Sequence, residues 1–60
     1  MNTSNEKILI VEDELIVAKD LEFILKNAGF KVIAIAKSVD TALAIIKSHK
    51  PNIVLLDIHL

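Results

Sequence analysis

Acidic residues follow two short apolar runs of the sequence. Residues 12–14 are three consecutive acids directly after apolar residues 8–11, and Asp57 directly follows apolar residues 53–56. Neither run alternates with polar residues, which is typical of a parallel strand covered by helices on both faces. The carboxyl ends of parallel strands share one edge of a sheet, which is where ligands bind in open α/β sheets. We therefore expect the two acidic sites to converge at that edge.

Converging carboxylates from Glu12, Asp13 and Asp57 favour a bound divalent metal ion. Two unit charges about 4 Å apart repel by roughly 4 kcal/mol at an effective dielectric of about 20, so a bare cluster takes up protons or recruits a cation. Oxygen ligands favour Mg²⁺, with Mn²⁺ also acceptable, and Mg²⁺ keeps waters that phosphate oxygens replace. With its charge masked by metal, Asp57 is the candidate nucleophile toward phosphorus. The competing interpretation is that these acids are only solvent-exposed residues at loop ends that also cap the first helix.

Amphipathic segments separate the predicted strands. The first helix is expected to begin near Glu14, with acids in its first turn, and to end at Gly29 in the left-handed conformation. Its predicted apolar face comprises Val17, Ala18, Leu21, Ile24, Leu25 and Ala28. Residues 31–36 form the second predicted strand, because they are rich in β-branched side chains.

The second helix is predicted to follow Ser38, its N-cap, and to stop at Pro51. Its predicted apolar residues are Val39, Ala42, Leu43, Ile45 and Ile46. The order strand, helix, strand, helix, strand predicts an α/β fold built from one βαβαβ unit. Right-handed crossovers that reverse direction at the first strand give a parallel sheet in the order 2-1-3.

Composition excludes several classes of protein. The sixty residues allow one small domain. The hydrophobic content of 53% is typical of the interior of an α/β sheet. Because the sequence has no cysteine, it can form neither disulfides nor thiolate metal sites. Seven scattered lysines, no arginine and a net charge of −1 argue against a nucleic-acid surface. No apolar run approaches the roughly 18 residues of a membrane span. Residues 1–6 predict a flexible lead-in and lack the apolar core of a signal peptide. The absence of cysteine fits a reducing setting, so we expect a cytoplasmic protein.

Three segments closely resemble the N-terminal half of a response-regulator receiver domain, the phosphoacceptor module of two-component signalling. Residues 8–14 are similar to the first strand and acidic pair of that family, and residues 51–58 to its third strand and phosphoacceptor. The helix between them is similar at Asp20, Leu21, Leu25, Gly29 and Phe30. The resemblance implies half of a flavodoxin-like doubly wound sheet, formed by residues 7–60.

The resemblance also implies roles for individual residues. Asp57 would be the phosphoacceptor, and Asp13 and Asp57 would bind Mg²⁺ through their side chains. The main-chain carbonyl of His59 would be a third ligand, with Glu12 acting mainly through water. The phosphoryl group would come from a sensor histidine kinase or a phosphotransfer protein. Such a domain is not an enzyme beyond catalysing its own phosphorylation, and it would reach nucleic acid only through an output domain outside these residues.

Receivers of this family continue with two more strands and three more helices, which carry the hydroxyl residue and the lysine that bind the phosphoryl group. Since the sequence stops at Leu60, we expect a truncated receiver domain. The alternative function is a non-catalytic structural fragment that folds or acts only by association, including self-association through its third strand. A phosphohydrolase would need a second aspartate where His59 stands. A nucleotide-binding domain would need a glycine-rich turn after the first strand.

Overall fold

A computed structural model describes residues 6–57 of the chain. Its elements follow the predicted order: β1 (Lys7–Glu12), α1 (Leu15–Asn27), β2 (Lys31–Ala36), α2 (Val39–His49) and β3 (Ile53–Asp57). The three strands are parallel and lie in the order β2-β1-β3. The predicted α/β fold with strand order 2-1-3 is therefore confirmed. Of the predicted lead-in, only Glu6 falls within the described residues.

The central strand β1 carries the core. Its residues Ile8 to Val11 are all buried, because alternate side chains point to opposite faces and a helix covers each face. On one face Ile8 and Ile10 pack with Ala18 of α1. On the other face Leu9 and Val11 pack with Ala36 of β2 and Ala42 of α2. The uninterrupted apolar run in the sequence thus reflects a strand with no solvated side.

Helix α1 ends in the left-handed turn that the sequence predicted. Gly29 has a φ of 97°, a value that favours glycine because a side chain there would clash with the backbone. The N–H of Phe30 donates to the carbonyl of Leu25 at 3.0 Å, and the N–H of Gly29 donates to that of Lys26 at 3.1 Å. These two bonds form a Schellman motif, which satisfies carbonyls at the end of the helix and turns the chain into β2.

The starts of the two helices differ. The Ser38 side chain accepts a hydrogen bond from the N–H of Thr41 at 3.2 Å, so the predicted N-cap of α2 is confirmed. Glu14 is the N-cap residue of α1, but its side chain makes no capping hydrogen bond and the first turn contains no acid. The expectation of acids in that first turn was wrong, because the acidic run ends before the helix begins.

Some apolar residues assigned to the inner faces of the helices are instead exposed. They are Ile24 of α1, Ala28 at its C-cap, and Val39 and Leu43 of α2. Both helices lie over β1 and β2, and within the described residues neither lies directly over β3. Consequently the apolar faces of the two helices are wider than the part of the sheet against which they pack. Ile53 and Leu55 of β3 reach the apolar cluster around Ala18 of α1 from the side. The α2 side of β3 is also open, with Val54 41% and Leu56 66% exposed. No helix in residues 6–57 is long and apolar enough to cross a membrane.

Candidate functional site

The two acidic strand ends meet at one edge of the sheet. Glu12 is the last residue of β1, Asp57 is the last residue of β3, and the two are direct partners in the parallel register. Asp13 follows Glu12 in the turn that leads to α1. The structure therefore places the side chain of Glu12 beside those of Asp13 and Asp57. The predicted contribution of His59 lies outside the described residues.

Glu12 is the one buried charged side chain in residues 6–57, with only 2% of its surface exposed. Its Oε1 accepts a hydrogen bond from the N–H of Glu14 at 3.0 Å. This bond satisfies a carboxylate oxygen that has lost contact with water, and it uses one of the N–H groups left free near the start of α1. Glu12 is consequently fixed in orientation by the backbone of the turn, whereas Asp13 and Asp57 remain exposed.

The surroundings of Glu12 act on its pKa in opposite directions. The hydrogen bond from Glu14 is the strongest single influence and lowers the pKa, because it stabilises the carboxylate. Burial and the neighbouring carboxyls of Asp57 and Asp13 together outweigh this bond, so the pKa of Glu12 is raised above its ordinary value. Carboxyl groups held this close together bind a proton more tightly, because adjacent negative charges repel each other.

A third exposed acid adds to the potential ligand set. Carboxylate oxygens of Glu12, Asp13 and Glu14 all lie within 4.8 Å of one another. Glu14 was not among the predicted metal ligands, although its place in the acidic run was the available signal. These three residues, two of them exposed, form an all-oxygen set that does not include Asp57. Such a set suits a hard ion that keeps several waters, as Mg²⁺ does. The residues at this edge therefore fit the ion that the sequence implied.

The ion pairs that the described residues form lie elsewhere, on the surface of α1. Glu22 pairs with Lys19 at 3.3 Å and with Lys26 at 3.2 Å. Neither pair includes an acid of the sheet edge. The negative charge at that edge is therefore not balanced by these pairs, which leaves it available for a cation.

Comparisons with known proteins agree with this geometry. The sequence model of the family described as "Response regulator receiver domain" matches residues 8–60. The phyllosphere-induced regulator PhyR of Methylorubrum extorquens is 40% identical over 55 residues, covering 90% of this chain and 21% of that protein. The transcriptional regulatory protein PdtaR of Mycobacterium tuberculosis is 31% identical over 52 residues, covering 87% of this chain and 25% of that protein.

A third relative, the probable transcriptional regulator ycf27 of Cyanophora paradoxa, is 36% identical over 58 residues, covering 97% of this chain and 24% of that protein. The chain thus spans about a quarter of the length of the curated relatives that it matches. No solved structure matches it significantly. The family match covers nearly all of the chain and includes both acidic strand ends, so the chain belongs to the response regulator receiver domain family.

Proposed function

We propose that this chain is the phosphoacceptor part of a receiver in a two-component system, phosphorylated on Asp57 in a reaction that depends on Mg²⁺. The observation that carries the proposal is the pairing of Glu12 with Asp57 across β1 and β3, beside Asp13. Phosphoryl transfer to a carboxylate needs a nucleophile that the donor can reach and a means of neutralising the phosphoryl oxygens. The exposure of Asp57 supports its role as the nucleophile, and the carboxylates of Glu12, Asp13 and Glu14 support binding of an ion that would neutralise the phosphoryl oxygens.

In the proposed reaction, a carboxylate oxygen of Asp57 attacks the phosphorus of a phosphohistidine. The new P–O bond forms as the P–N bond breaks, and the departing imidazole nitrogen takes a proton from solvent. Bound Mg²⁺ would neutralise charge on the phosphoryl oxygens. Asp13 and Asp57 would bind the ion through their side chains and His59 through its main-chain carbonyl, while Glu12 would act mainly through water.

The physical setting of Glu12 supports its role as an indirect ligand. Its carboxylate is buried and already accepts the Glu14 N–H, so it adds negative charge to the site without swinging out to meet the ion. Protons compete with the ion for this carboxylate because its pKa is raised. Metal binding would therefore weaken as the pH falls toward the pKa of Glu12.

The receiver assignment also suggests partners and a cellular setting. A sensor histidine kinase or phosphotransfer protein would supply the phosphoryl group in the cytoplasm. Contact with nucleic acid would require an output domain beyond these residues. Catalysis would be limited to the domain's own phosphorylation, so the chain would have no separate enzyme substrate.

Phosphorylation of the full-length protein by acetyl phosphate in the presence of Mg²⁺ tests this proposal. We expect mass spectrometry to find one phosphoryl group on Asp57, and we expect the label to disappear in Asp57→Ala and after chelation of the metal. Asp13→Asn should slow labelling by about tenfold or more, since even residues that only orient metal ligands have effects of this size. Asp40→Ala, which removes an exposed acid from the first turn of α2, is the matched control and should be labelled normally. A label that survives Asp57→Ala would contradict the proposal.

One observation favours a second candidate function, in which the chain acts as a non-catalytic element that associates with another chain. Strand β3 pairs only with β1 in the described residues, and its side chains Val54 and Leu56 are exposed. An apolar strand with one unpaired side is a template for pairing with a further strand. This association would not require phosphorylation of Asp57.

A further inference from the structure

Strands β1 and β3 are joined by side-chain and main-chain hydrogen bonds at the end of the sheet opposite the acidic site. The N–H of Lys7 donates to Oδ1 of Asn52 at 2.9 Å. The N–H of Asn52 donates to the carbonyl of Lys7 at 2.8 Å. These two reciprocal bonds, which we call the Asn52 clamp, pair residues 45 positions apart in the sequence. The Asn52 amide oxygen here replaces a main-chain acceptor, so its side chain takes part in the strand pairing.

The apolar residues of these two strands specify their register only weakly. Residues 8–11 of β1 and residues 53–56 of β3 are all apolar, so neither strand shows the alternation that normally assigns each side chain to a face. A shift of β3 by one position would exchange Ile53 and Leu55 with Val54 and Leu56, which are also apolar. The burial of apolar surface therefore discriminates poorly between the native register and its neighbours.

The same shift would change the acidic site completely. In the native register Glu12 lies opposite Asp57. Moving β3 by one residue in one direction would bring Leu56 opposite Glu12 and turn the Asp57 side chain to the other face of the sheet. A register that the apolar core barely distinguishes therefore decides whether the carboxylates meet.

We propose that Asn52 is a positioning residue for Asp57: its side-chain amide selects the β1–β3 register and so brings Asp57 opposite Glu12 at the far end of the strand. The inference rests on the proposed function only where metal binding is used to detect it, because the register itself can be measured without metal. Among substitutions, Asn52→Asp retains an acceptor oxygen for the Lys7 N–H, whereas Asn52→Ala removes it.

The test combines the register and metal affinity in the full-length protein. Nuclear Overhauser contacts between the backbones of β1 and β3 report the register without metal, and Mn²⁺ titration reports the shared site. We expect Asn52→Ala to weaken the contacts between residues 12 and 57 and to reduce Mn²⁺ affinity about fivefold, the effect of one hydrogen bond. Asn52→Asp should restore both. Asn27→Ala, an exposed asparagine at the end of α1, should alter neither.

A double-mutant cycle separates a positioning role from general destabilisation. If Asn52 acts through Asp57, adding Asp57→Asn to Asn52→Ala should lower Mn²⁺ affinity less than Asp57→Asn does alone. Native contacts between residues 12 and 57 in Asn52→Ala would overturn the inference and assign the register to the turn at Lys50 and Pro51. If Asp57→Asn alone leaves Mn²⁺ affinity unchanged, the proposed shared metal site fails, and the contacts in Asn52→Ala still decide the role of the clamp.

Discussion

Glu12 and Glu22 show how neighbours decide the state of chemically identical side chains. Lys26 and Lys19 both donate hydrogen bonds to the Glu22 carboxylate. These bonds lower the pKa of Glu22 below its ordinary value, and the bond from Lys26 has the larger effect. Burial and adjacent acids raise the pKa of Glu12 in spite of the hydrogen bond from Glu14. One glutamate is thus neutralised by lysines of its own helix, whereas Glu12 pairs with no lysine among residues 6–57 and suits a site for an external cation.

The lowered pKa of Glu22 predicts a pH-dependent contribution to stability. A carboxyl that ionises more readily in the folded state stabilises the fold above its unfolded pKa of about 4.3, and this contribution is lost as the pH falls through the folded pKa. We expect Glu22→Gln to lower the melting temperature slightly at about pH 7 and to have no effect at about pH 2, with a smaller difference in high salt. Calorimetry at these pH values is the measurement. Asp20→Asn, an exposed acid of the same helix, is the control, and an equal loss at both pH values would contradict the assignment.

At the scale of the elements, the ends of the helices depend on a few residues with special conformations. Gly29 ends α1 in the left-handed region, and Ser38 satisfies an N–H at the start of α2. Lys50 ends α2 with a φ of 50° before Pro51. Gly29 and Lys50 thus turn the chain toward the next strand after each helix, and Ser38 fixes where α2 begins.

Replacing Gly29 should test how much the left-handed turn contributes. At a φ of 97°, the Cβ of alanine would clash with the backbone, and we expect Gly29→Ala to lower the free energy of unfolding by about 1–2 kcal/mol. Gly29→Asn should be less destabilising, because asparagine tolerates left-handed conformations better than alanine. Urea unfolding measures both variants. A Gly29→Ala protein as stable as the parent would show that the turn relaxes to a right-handed conformation without loss.

The whole molecule has a sheet that its helices cover unevenly. Both α1 and α2 lie over β1 and β2, which leaves the apolar side chains Val54 and Leu56 of β3 exposed. In the described residues β3 is also an edge strand, with one side unpaired. A three-stranded sheet with two helices also offers a small core to offset the conformational entropy of ordering the chain. A second strand paired with β3 would correct both deficiencies.

We therefore expect a polypeptide of residues 1–60 to self-associate through β3. A two-fold dimer would pair the β3 strands antiparallel in a six-stranded sheet, and the two acidic sites would point toward opposite ends. Sedimentation equilibrium should detect the dimer at micromolar concentration, and Leu56→Lys should weaken it by placing a charge on the edge. Ile24→Lys alters an exposed apolar residue of α1 and should leave it unchanged. A folded species with the mass of one chain throughout this range would disprove the association.

Short-range sequence signals predicted most of the fold correctly because the responsible physics is local. The apolar runs of β1 and β3, the glycine after α1 and the serine before α2 act within a few residues, and parallel crossovers have a preferred hand. The tertiary structure decided where the helices lie, and Ile24 and Leu43 are exposed because neither helix covers β3. It also decided the state of Glu12, because its burial and its contact with Asp57 arise only when the strands pair. The sequence predicted that the acids converge at one edge of the sheet, but the apolar residues on both faces of β3 do not encode its register. The direct pairing of Glu12 with Asp57 therefore depends on contacts across the sheet.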